Sequence, residues 1–268
     1  MSSGLKLMCV LAHPDDESLG TGGTLAKYAA EGIETYLVTA TRGERGWPGD
    51  PREDPGLEAL GRLREAELRC AAQKLGVCEV TLLDYVDGDL DQAQPSEAME
   101  MIVRLLRRVR PHVVVTFGPD GTYGHPDHIA ICQFTTAAIV LAADPTYEVT
   151  GDPPHAVSKL YYMVPTAAEL KAYQSVFGDL VMCIDGMERR GAGWQEWAIT
   201  TQVDTRDYWA TVWNAVSCHQ TQLPAYAALD RLPEEHHRAL WGSRSYYRAY
   251  SRVNGGRKVE QDLFEGLR

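Results

Sequence analysis

Short apolar runs alternate with longer amphipathic segments through the first half of the chain. Continuous apolar or β-branched runs predict buried strands at residues 5–12, 34–40, 78–83 and 112–117. Apolar residues at helical spacing predict helices at residues 21–31, 57–75 and 96–110. This βαβαβαβ order is typical of a parallel sheet that helices cover on both faces.

The order of these elements also predicts a topology. Right-handed crossovers favour an α/β, Rossmann-like, three-layer αβα fold with a mostly parallel sheet in strand order 3-2-1-4 and onward. Ligands in such sheets bind at the carboxyl ends of strands where the winding direction reverses. In this chain those ends are the segments that follow Ala12 and Phe117.

The second half of the chain has a looser pattern. It predicts strands at residues 157–164, 198–203 and 245–251 and a helix over 205–219 with Thr205 as its N-cap. We expect one domain over residues 1–268. Residues 1–145 would form the core sheet and the site, and residues 146–268 would add strands and helices that complete the pocket.

Composition and charge narrow the class of partner. The chain has 268 residues, 44% of them hydrophobic, which is enough to bury a full core. A net charge of −11 excludes a nucleic-acid or anionic-membrane surface, because binding phosphates needs clustered Lys and Arg. The N-terminal apolar stretch is too short to insert into a membrane. The six cysteines show no C-x-x-C pair and are interpreted as core thiols, so we expect a cytoplasmic protein.

Two short segments at the predicted carboxyl ends contain imidazole and carboxylate groups. Ala-His-Pro-Asp-Asp-Glu occupies residues 12–17, and Gly-His-Pro-Asp-His occupies residues 124–128. Zinc is held by His nitrogen and Asp or Glu oxygen, and a catalytic site uses three protein ligands and a water. Two His and one Asp from these segments meet that requirement. The alternative for either segment alone is a strand-to-helix turn in which Asp16 or Asp127 caps the helix.

These segments resemble the signature motifs of the PIG-L family of zinc-dependent de-N-acetylases. Members of that family act on N-acetylglucosaminyl phosphatidylinositol, on precursors of mycothiol and bacillithiol, and on some glycopeptide antibiotics. The similarity extends to Thr-Arg-Gly-Glu at 41–44, to residues 64–76 in the following helix and to His-Gln-x-Gln at 219–222. The resemblance implies hydrolysis of the N-acetyl group of an N-acetylglucosamine-type conjugate.

The resemblance also implies a role for each residue of the two motifs. The metal ligands would be His13, Asp16 and His128, and Asp15 would be the general base. The chemistry agrees, because a carboxylate held off the metal can take a proton from water that the ion acidifies. His125 would donate to the oxyanion of the tetrahedral intermediate. The alternative for Asp15 is a hydrogen-bonding role behind the ligands.

Three further residues have roles that the sequence leaves open. Asp127 resembles the carboxylate that orients the catalytic His, but it could face His125 or cap the next helix. Arg64 matches a family position that contacts substrate or supports the His–Asp pair, although an Arg on a helix is also typical of a solvated face. Asp87 resembles a contact to a substrate hydroxyl. The proton for the departing amine would come from Asp15 or His125.

Four more polar residues are interpreted without a catalytic role or with two alternatives. Glu17 fits the first turn of a helix, where the helix dipole favours a carboxylate. His219 fits a structural position and a pocket position equally. His236 and His237 fit the solvated start of a helix.

Three other functions compete with this interpretation. Gly-x-Gly-Gly at residues 20–23 suggests a dinucleotide enzyme, but Leu25 occupies the place of the third glycine of that fingerprint. A sugar- or metal-binding protein without turnover would need neither Asp15 nor His125. A zinc hydrolase of another acyl amide would use the same site, and it is the main alternative.

The cofactor and partners follow from the same residues. We expect one Zn²⁺ per chain, although His and carboxylate ligands also accept other divalent metals such as Fe²⁺. The expected partner is a small N-acetylated sugar conjugate, with no nucleic acid and no membrane insertion. Because many members of the family are oligomeric, the resemblance also implies a homo-oligomer.

Overall fold

The computed structural model describes residues 4–149, 151–184, 186–226, 228–256 and 258–268. Its strands are Lys6–Leu11 (β1), Glu34–Thr41 (β2), Glu79–Tyr85 (β3), Val113–Phe117 (β4), Lys159–Met163 (β5), Val181–Ile184 (β6), Met187–Arg190 (β7), Thr201–Asp204 (β8) and Ser243–Ser251 (β9). Its helices are Asp16–Leu19 (α1), Gly22–Ala30 (α2), Leu57–Leu75 (α3), Pro95–Val109 (α4), Gly121–Gly124 (α5), Pro126–Ala143 (α6), Ala167–Phe177 (α7), Trp209–Val216 (α8) and Glu234–Trp241 (α9).

The central sheet has seven strands within the described residues, in the order β3-β2-β1-β4-β5-β9-β8. This confirms the predicted order 3-2-1-4 and the mostly parallel α/β class. β1 lies between β2 and β4, with Leu7 opposite Thr35 on one side and Val113 on the other. All of β4 is buried, and so are five of the six residues of β1, because helices cover both faces of a parallel sheet.

The winding direction reverses between β1 and β4, so their carboxyl ends lie side by side. Hydroxyl groups reinforce the strands there: Thr116 Oγ1 donates to the carbonyl of Val10 at 2.8 Å, and Thr41 Oγ1 donates to that of Ala12 at 3.1 Å. α1 follows β1 after a short turn, and α5 and α6 follow β4. The two motifs therefore leave the sheet at neighbouring positions.

The second half of the chain completes the same sheet. β5 pairs parallel to β4, whereas β9 and β8 pair antiparallel beyond it. The helix predicted over residues 205–219 is shorter than expected, and its N-cap was wrong: the Thr205 hydroxyl donates to the carbonyl of Trp241 instead of capping α8. The helix α7 and the β6–β7 hairpin were not predicted from the sequence pattern, and α6 and α9 were expected only as helix starts near Asp127 and His236, without bounds.

The cysteine prediction was partly wrong. Cys70 on α3 and Cys218 just after α8 form a disulfide, with their Cα atoms 5.9 Å apart. Cys78 and Cys183 are exposed thiols, and only Cys9 and Cys132 among the free cysteines of the described residues are buried. The pair lies 148 residues apart in sequence and meets because α3 packs against α8. Cysteine spacing alone gives no sign of such a tertiary contact.

His236 and His237 were predicted to lie at the solvated start of a helix, and this is right for His236 and wrong for His237. His236 is exposed, but His237 is buried, and its ring stacks against Trp209 and Trp241 and lies tilted against Trp213. The three tryptophans belong to a second apolar cluster around α8 and α9, and His237 packs against them. The helix start at Glu234 is therefore amphipathic rather than fully solvated.

α6 is the one helix of the described residues that is long and apolar enough to cross a membrane by length and composition. More than half of it, 56%, is buried inside this fold. It packs against α4 and β4, and its first turn contributes Asp127 and His128 to the site. A core helix explains its composition.

Candidate active site

The three predicted metal ligands converge at the carboxyl edge of the sheet. His13 follows β1, Asp16 begins α1, and His128 lies in the first turn of α6. Nδ1 of His13 lies 3.3 Å from Nε2 of His128 and 3.7 Å from Oδ2 of Asp16. Nε2 of His128 lies 3.6 Å from Oδ1 of Asp16. These atoms are close enough to share one ion.

The second nitrogen of each imidazole faces an oxygen. Nδ1 of His128 lies 3.2 Å from the carbonyl of Gly121, and Nε2 of His13 lies 3.0 Å from Oδ2 of Asp127 and 3.1 Å from Oδ1 of Asp87. A neutral imidazole that donates at one nitrogen presents a lone pair at the other. If both rings are neutral, two lone pairs face each other across 3.3 Å, and a cation between them would take the place of a proton. This donor set fits a divalent cation.

Electrostatics around His13 also favour a cation. Burial would lower the pKa of His13, but hydrogen bonds to Asp127 and Asp87 and the charge of Asp16 raise it to about 10. By contrast, burial and the charge of His13 hold the pKa of His128 well below its usual value. The residues around the site therefore stabilise positive charge on the His13 ring and keep the facing His128 ring neutral. A divalent ion meets both conditions.

The Asp127 side chain contacts His13, a predicted metal ligand, rather than its predicted partner His125. Its Oδ2 accepts from the backbone N–H of Gly88 at 2.7 Å, and its Oδ1 accepts from that of Leu90 at 3.2 Å. The side chain is fully buried and turns toward the loop after β3. The contact to His125 is made by the backbone instead, because Asp127 N–H donates to His125 Nδ1 at 3.2 Å. These hydrogen bonds show neither of the two orientations that the sequence left open.

A second cluster of candidate ligands shares His13. His13, His125 and Asp127 also present ligand atoms within 4.8 Å of one another. Both oxygens of Asp127 are already engaged by backbone N–H groups and by His13. The set with Asp16 and His128 is therefore the better metal site.

The ring of His125 lies beside the predicted metal ligands and presents a hydrogen-bond donor there. Its ring stacks on His128 at 4.6 Å and lies 4.7 Å from that of His13. Burial and the charge of His13 lower the pKa of His125 to about 4, so the ring is neutral near pH 7. Because Nδ1 accepts from Asp127, the remaining proton lies on Nε2. The ring can thus donate a hydrogen bond without becoming charged.

Asp15 adopts a left-handed backbone conformation at the start of α1, with φ of 106°. A residue other than glycine keeps such a conformation only where its surroundings enforce it. Its N–H donates to Oε2 of Glu17 at 2.9 Å, and its carbonyl accepts from the N–H groups of Ser18 and Leu19. Its Oδ2 lies 3.1 Å from Nη2 of Arg64. The carboxylate is therefore held beside the ligands.

Arg64 is a buried residue and not part of a solvated helix face. Its guanidinium donates to the carbonyls of Gly43 at 2.8 Å and Pro14 at 2.5 Å as well as to Asp15. It thereby connects the loops that follow β1 and β2. Gly43 has φ of +63°, and a Cβ there would collide with the guanidinium, so the position requires glycine. Arg64 supports the predicted base, Asp15, and does not contact the His–Asp pair through a described hydrogen bond.

Asp87 lies behind His13, next to Asp127. Its Oδ2 accepts from the N–H of Arg45 at 3.2 Å. Burial would raise the pKa of Asp87, but the hydrogen bond and charge of His13 lower it to about 2. The residue also lines the cavity above the site. Its predicted contact with a substrate hydroxyl stays a prediction.

Glu17 and His219 form a buried pair that the sequence did not predict. Oε1 of Glu17 lies 2.8 Å from Nε2 of His219, and both side chains are fully buried. Glu17 lies in the first turn of α1, as predicted, but it is buried there and paired with His219. Burial opposes its ionisation, but the charge and hydrogen bond of His219 lower the pKa of Glu17. The motifs AHPDDE and HQxQ were the available signals, although neither indicates that the two residues meet.

A cavity of about 490 Å³ opens above these residues. The ligands, Asp15, Arg64 and His125 lie on one side of it. The other side comes from α7, the end of β5 and the start of β9, and it is mainly apolar. The residues from these elements include Met163, Leu170, Tyr173, Phe177 and, among the polar ones, Glu169, Arg244 and Ser245, and Leu19 of α1 and Leu180 before β6 also line the cavity.

Two sequence comparisons give a consistent result. The model of the PIG-L family, described as GlcNAc-PI de-N-acetylase, matches residues 8–139. A Streptomyces scabiei protein named 1D-myo-inositol 2-acetamido-2-deoxy-alpha-D-glucopyranoside deacetylase is 34% identical over 296 residues. The match covers 98% of this chain and 90% of that relative.

Solved structures share the fold at lower identity. N,N'-diacetylchitobiose deacetylase from Pyrococcus horikoshii has a TM-score of 0.68 and 20% identity, covering 92% of this chain and 84% of its own. GalB, the 4-carboxy-2-hydroxymuconate hydratase of Pseudomonas putida KT2440, has a TM-score of 0.68 and 19% identity, covering 94% and 99%. Because these two proteins catalyse different reactions, the fold alone does not determine the chemistry.

Proposed function

The chain belongs to the PIG-L family of GlcNAc-PI de-N-acetylases, and we propose that it hydrolyses the N-acetyl group of an N-acetylglucosamine-type conjugate. The products are acetate and a free amine. One observation supports this most: His13, Asp16 and His128 converge beside Asp15, a carboxylate that is not one of the three. The similar Streptomyces protein is named a deacetylase of such a conjugate.

The proposed cofactor is one divalent ion. His13, Asp16 and His128 would hold it, and we propose zinc, with Fe²⁺ as a second metal that suits the same donors. When bound, such an ion lowers the pKa of water and polarises a carbonyl. The carboxylates of Asp127 and Asp87 orient the His13 ring for this purpose.

Asp15 is proposed as the general base. Arg64 and the strained backbone fix its carboxylate beside the ligands. A carboxylate in that position can take a proton from the attacking water as its oxygen bonds to the acetyl carbon. When the carbon–nitrogen bond breaks, Asp15 can return this proton to the amine. The alternative donor for that step is His125.

His125 is proposed to stabilise the oxyanion. Negative charge develops on the acetyl oxygen during attack, and a preorganised donor there lowers the barrier. Nε2–H of the neutral His125 ring meets this need, because its Nδ1 is occupied by Asp127 N–H.

We also propose the substrate class and the extent of the catalytic unit. The substrate is a small sugar conjugate, and neither nucleic acid nor membrane insertion is involved. Residues 1–268 act as one deacetylase unit, in which the second half of the chain completes the pocket. A cytoplasmic location and a homo-oligomeric state remain predictions.

A panel of amides tests this function. Zinc-loaded protein is assayed for free amine against N-acetylglucosamine conjugates, against the same conjugates with longer acyl groups, and against N-acetyl amino acids. We expect release of acetate from the sugar conjugates at least about tenfold faster, in kcat/KM, than from the other amides. Equal or faster hydrolysis of the amino-acid amides would favour a hydrolase of another acyl amide instead.

A further inference from the structure

We infer that the cavity contains an anion subsite at Arg244, so that the preferred substrate has a carboxylate on its aglycone. This inference rests on the proposed function and names the class of conjugate that the site accepts. The observation behind it is a buried cation on the cavity wall for which the described residues provide no counter-ion.

Arg244 is buried at the start of β9, with 8% of its surface exposed, and it lines the cavity. Its Nη1 donates to the carbonyls of Leu240 at 2.7 Å and Ser243 at 3.1 Å. Its Nη2 donates to the carbonyl of Leu19 at 3.0 Å. These three bonds hold the guanidinium in one orientation, and each of them goes to a neutral group.

The charge of Arg244 is unpaired within the described part of the chain. No Asp or Glu oxygen there lies within 4 Å of its guanidinium, and its Nε has no hydrogen-bond partner. Glu169 lines the same wall, but its oxygens accept from the N–H of Thr166 and the hydroxyl of Ser245. A buried charge without a partner is costly, so a ligand that supplies the opposite charge would bind strongly.

The position of Arg244 relative to the ligands suits the far end of a sugar conjugate. Leu19, whose carbonyl accepts from Arg244, ends α1, and the ligand Asp16 begins it. Three residues of α-helix span roughly 5 Å along the axis. The guanidinium therefore lies at the opposite end of α1 from Asp16, along the same cavity, and we take this to be the end that receives the aglycone. Tyr173 also lines the cavity and donates its hydroxyl to the same carbonyl of Leu19.

The donors that remain on Arg244 match a carboxylate. A guanidinium has five N–H donors, and the three described bonds leave one N–H of Nη2 and the buried Nε–H. The free N–H of Nη2 can donate a charge-assisted hydrogen bond to a carboxylate oxygen. Apolar side chains around this end, Leu170 and Phe177 among them, keep water away and strengthen the pairing.

The competing explanation is that Arg244 has only a structural role, in which its hydrogen bonds link α1 to α9. Leu19 and Leu240 lie at or near the carboxyl ends of these helices, where a cation is favourable. Such a structural link would affect folding stability but not which ligand the cavity binds. The test therefore compares ligands on the same protein instead of comparing stabilities.

Calorimetric titration of the zinc-loaded protein separates the two explanations. The probes are glucosamine phenyl glycosides, already free of acetyl, with a para carboxylate, carboxamide or phosphate on the phenyl ring. We expect the carboxylate to bind at least about tenfold tighter than the carboxamide. In Arg244→Gln this ratio should fall to about one, and in Arg244→Lys it should be intermediate. Arg62→Gln, which removes an exposed Arg on α3, should leave the ratio at its original value.

Several results would overturn the inference. A ratio near one in the unchanged protein would do so even if Arg244→Gln failed to fold, and so would a ratio that Arg244→Gln retains. Tighter binding of the phosphate would assign the subsite to phosphorylated conjugates and contradict the carboxylate. Since the titration needs no turnover, selective carboxylate binding without any deacetylation would count against the proposed function and leave the subsite intact.

Discussion

Oε1 of Glu17 lies 2.8 Å from Nε2 of His219, although 202 residues separate them in the chain. The other carboxylate oxygen of Glu17 accepts from the N–H of Asp15. The buried Glu17–His219 pair therefore holds the backbone of Asp15, the proposed general base, in place. Glu17 acts by positioning Asp15 and does not reach the reacting atoms through any described contact.

Glu17→Gln should lower kcat about ten- to a hundredfold while KM and zinc content stay unchanged. The neutral side chain loses its charge interaction with His219, so the strained turn at Asp15 relaxes, and a shift of about 1 Å in a catalytic group costs about that much. Steady-state kinetics with metal analysis check this. Glu97→Gln removes an exposed first-turn carboxylate from α4 and serves as the control. Full activity in Glu17→Gln would show that the pair has no positioning role.

Asp127→Asn should weaken zinc binding about ten- to a hundredfold. The carboxylate accepts from Nε2–H of His13 and makes the opposite nitrogen a better ligand, and an amide does this less well. Competition with a fluorescent chelator measures the affinity. Asp152→Asn, at an exposed position, should bind zinc like the unchanged protein. Unaltered affinity in Asp127→Asn would mean that its contact with His13 does not tune the metal site.

The disulfide between Cys70 and Cys218 should stabilise the fold. A cross-link that joins α3 to the end of α8 restricts the unfolded chain, and typical bonds of this kind contribute about 2–4 kcal/mol. Urea unfolding with and without reductant should show that loss, and the Cys70→Ser/Cys218→Ser protein should not respond to reductant. Cys78→Ser, which removes an exposed free thiol, should retain the response. Six titratable thiols in unreduced, denatured protein would rule the bond out.

Glu260 should make stability depend on pH in the acidic range. Burial would raise its pKa, but Lys159, whose Nζ lies 2.7 Å away, and Tyr161 lower the pKa of Glu260 to about 2. A folded-state pKa below the unfolded value of 4.5 adds stability above pH 4.5, and this is lost as the pH falls toward about 2. The loss should amount to at most about 3 kcal/mol.

Unfolding by urea at pH 6 and pH 3 measures this effect. The free energy of unfolding should drop more between these two pH values in the unchanged protein than in Glu260→Gln. That variant should already be destabilised at pH 6, because Lys159 is then buried without its partner. An equal drop in both proteins would exclude Glu260 as the source.

The sheet and its ligand edge could be predicted because local patterns determine them. Buried strands and helix-length crossovers give the order of β1 to β4, and that order places His13 beside His128. The direction of the Asp127 side chain could not be predicted, since it depends on the loop after β3, where Gly88 and Leu90 supply N–H groups. Short motifs specify which residues approach the site, but not which atoms meet.

The far wall of the cavity was also beyond prediction. Tyr173 and Arg244 come from α7 and β9, segments in which no motif marks a site. Their place follows from the antiparallel addition of β9 next to β5, which is a long-range pairing. The same limit applies to Cys70 and Cys218 and to Glu17 and His219. Each pair depends on packing between elements far apart in the sequence.

The most direct test of the central claim compares the unchanged protein with Asp15→Ala at equal zinc content. The unchanged protein should release acetate and free amine in a one-to-one ratio from an N-acetylglucosamine conjugate. Asp15→Ala should keep one ion per chain and lose at least about a hundredfold in rate. The account would be contradicted if the zinc-loaded protein released neither product, or if Asp15→Ala turned over as fast as the unchanged protein.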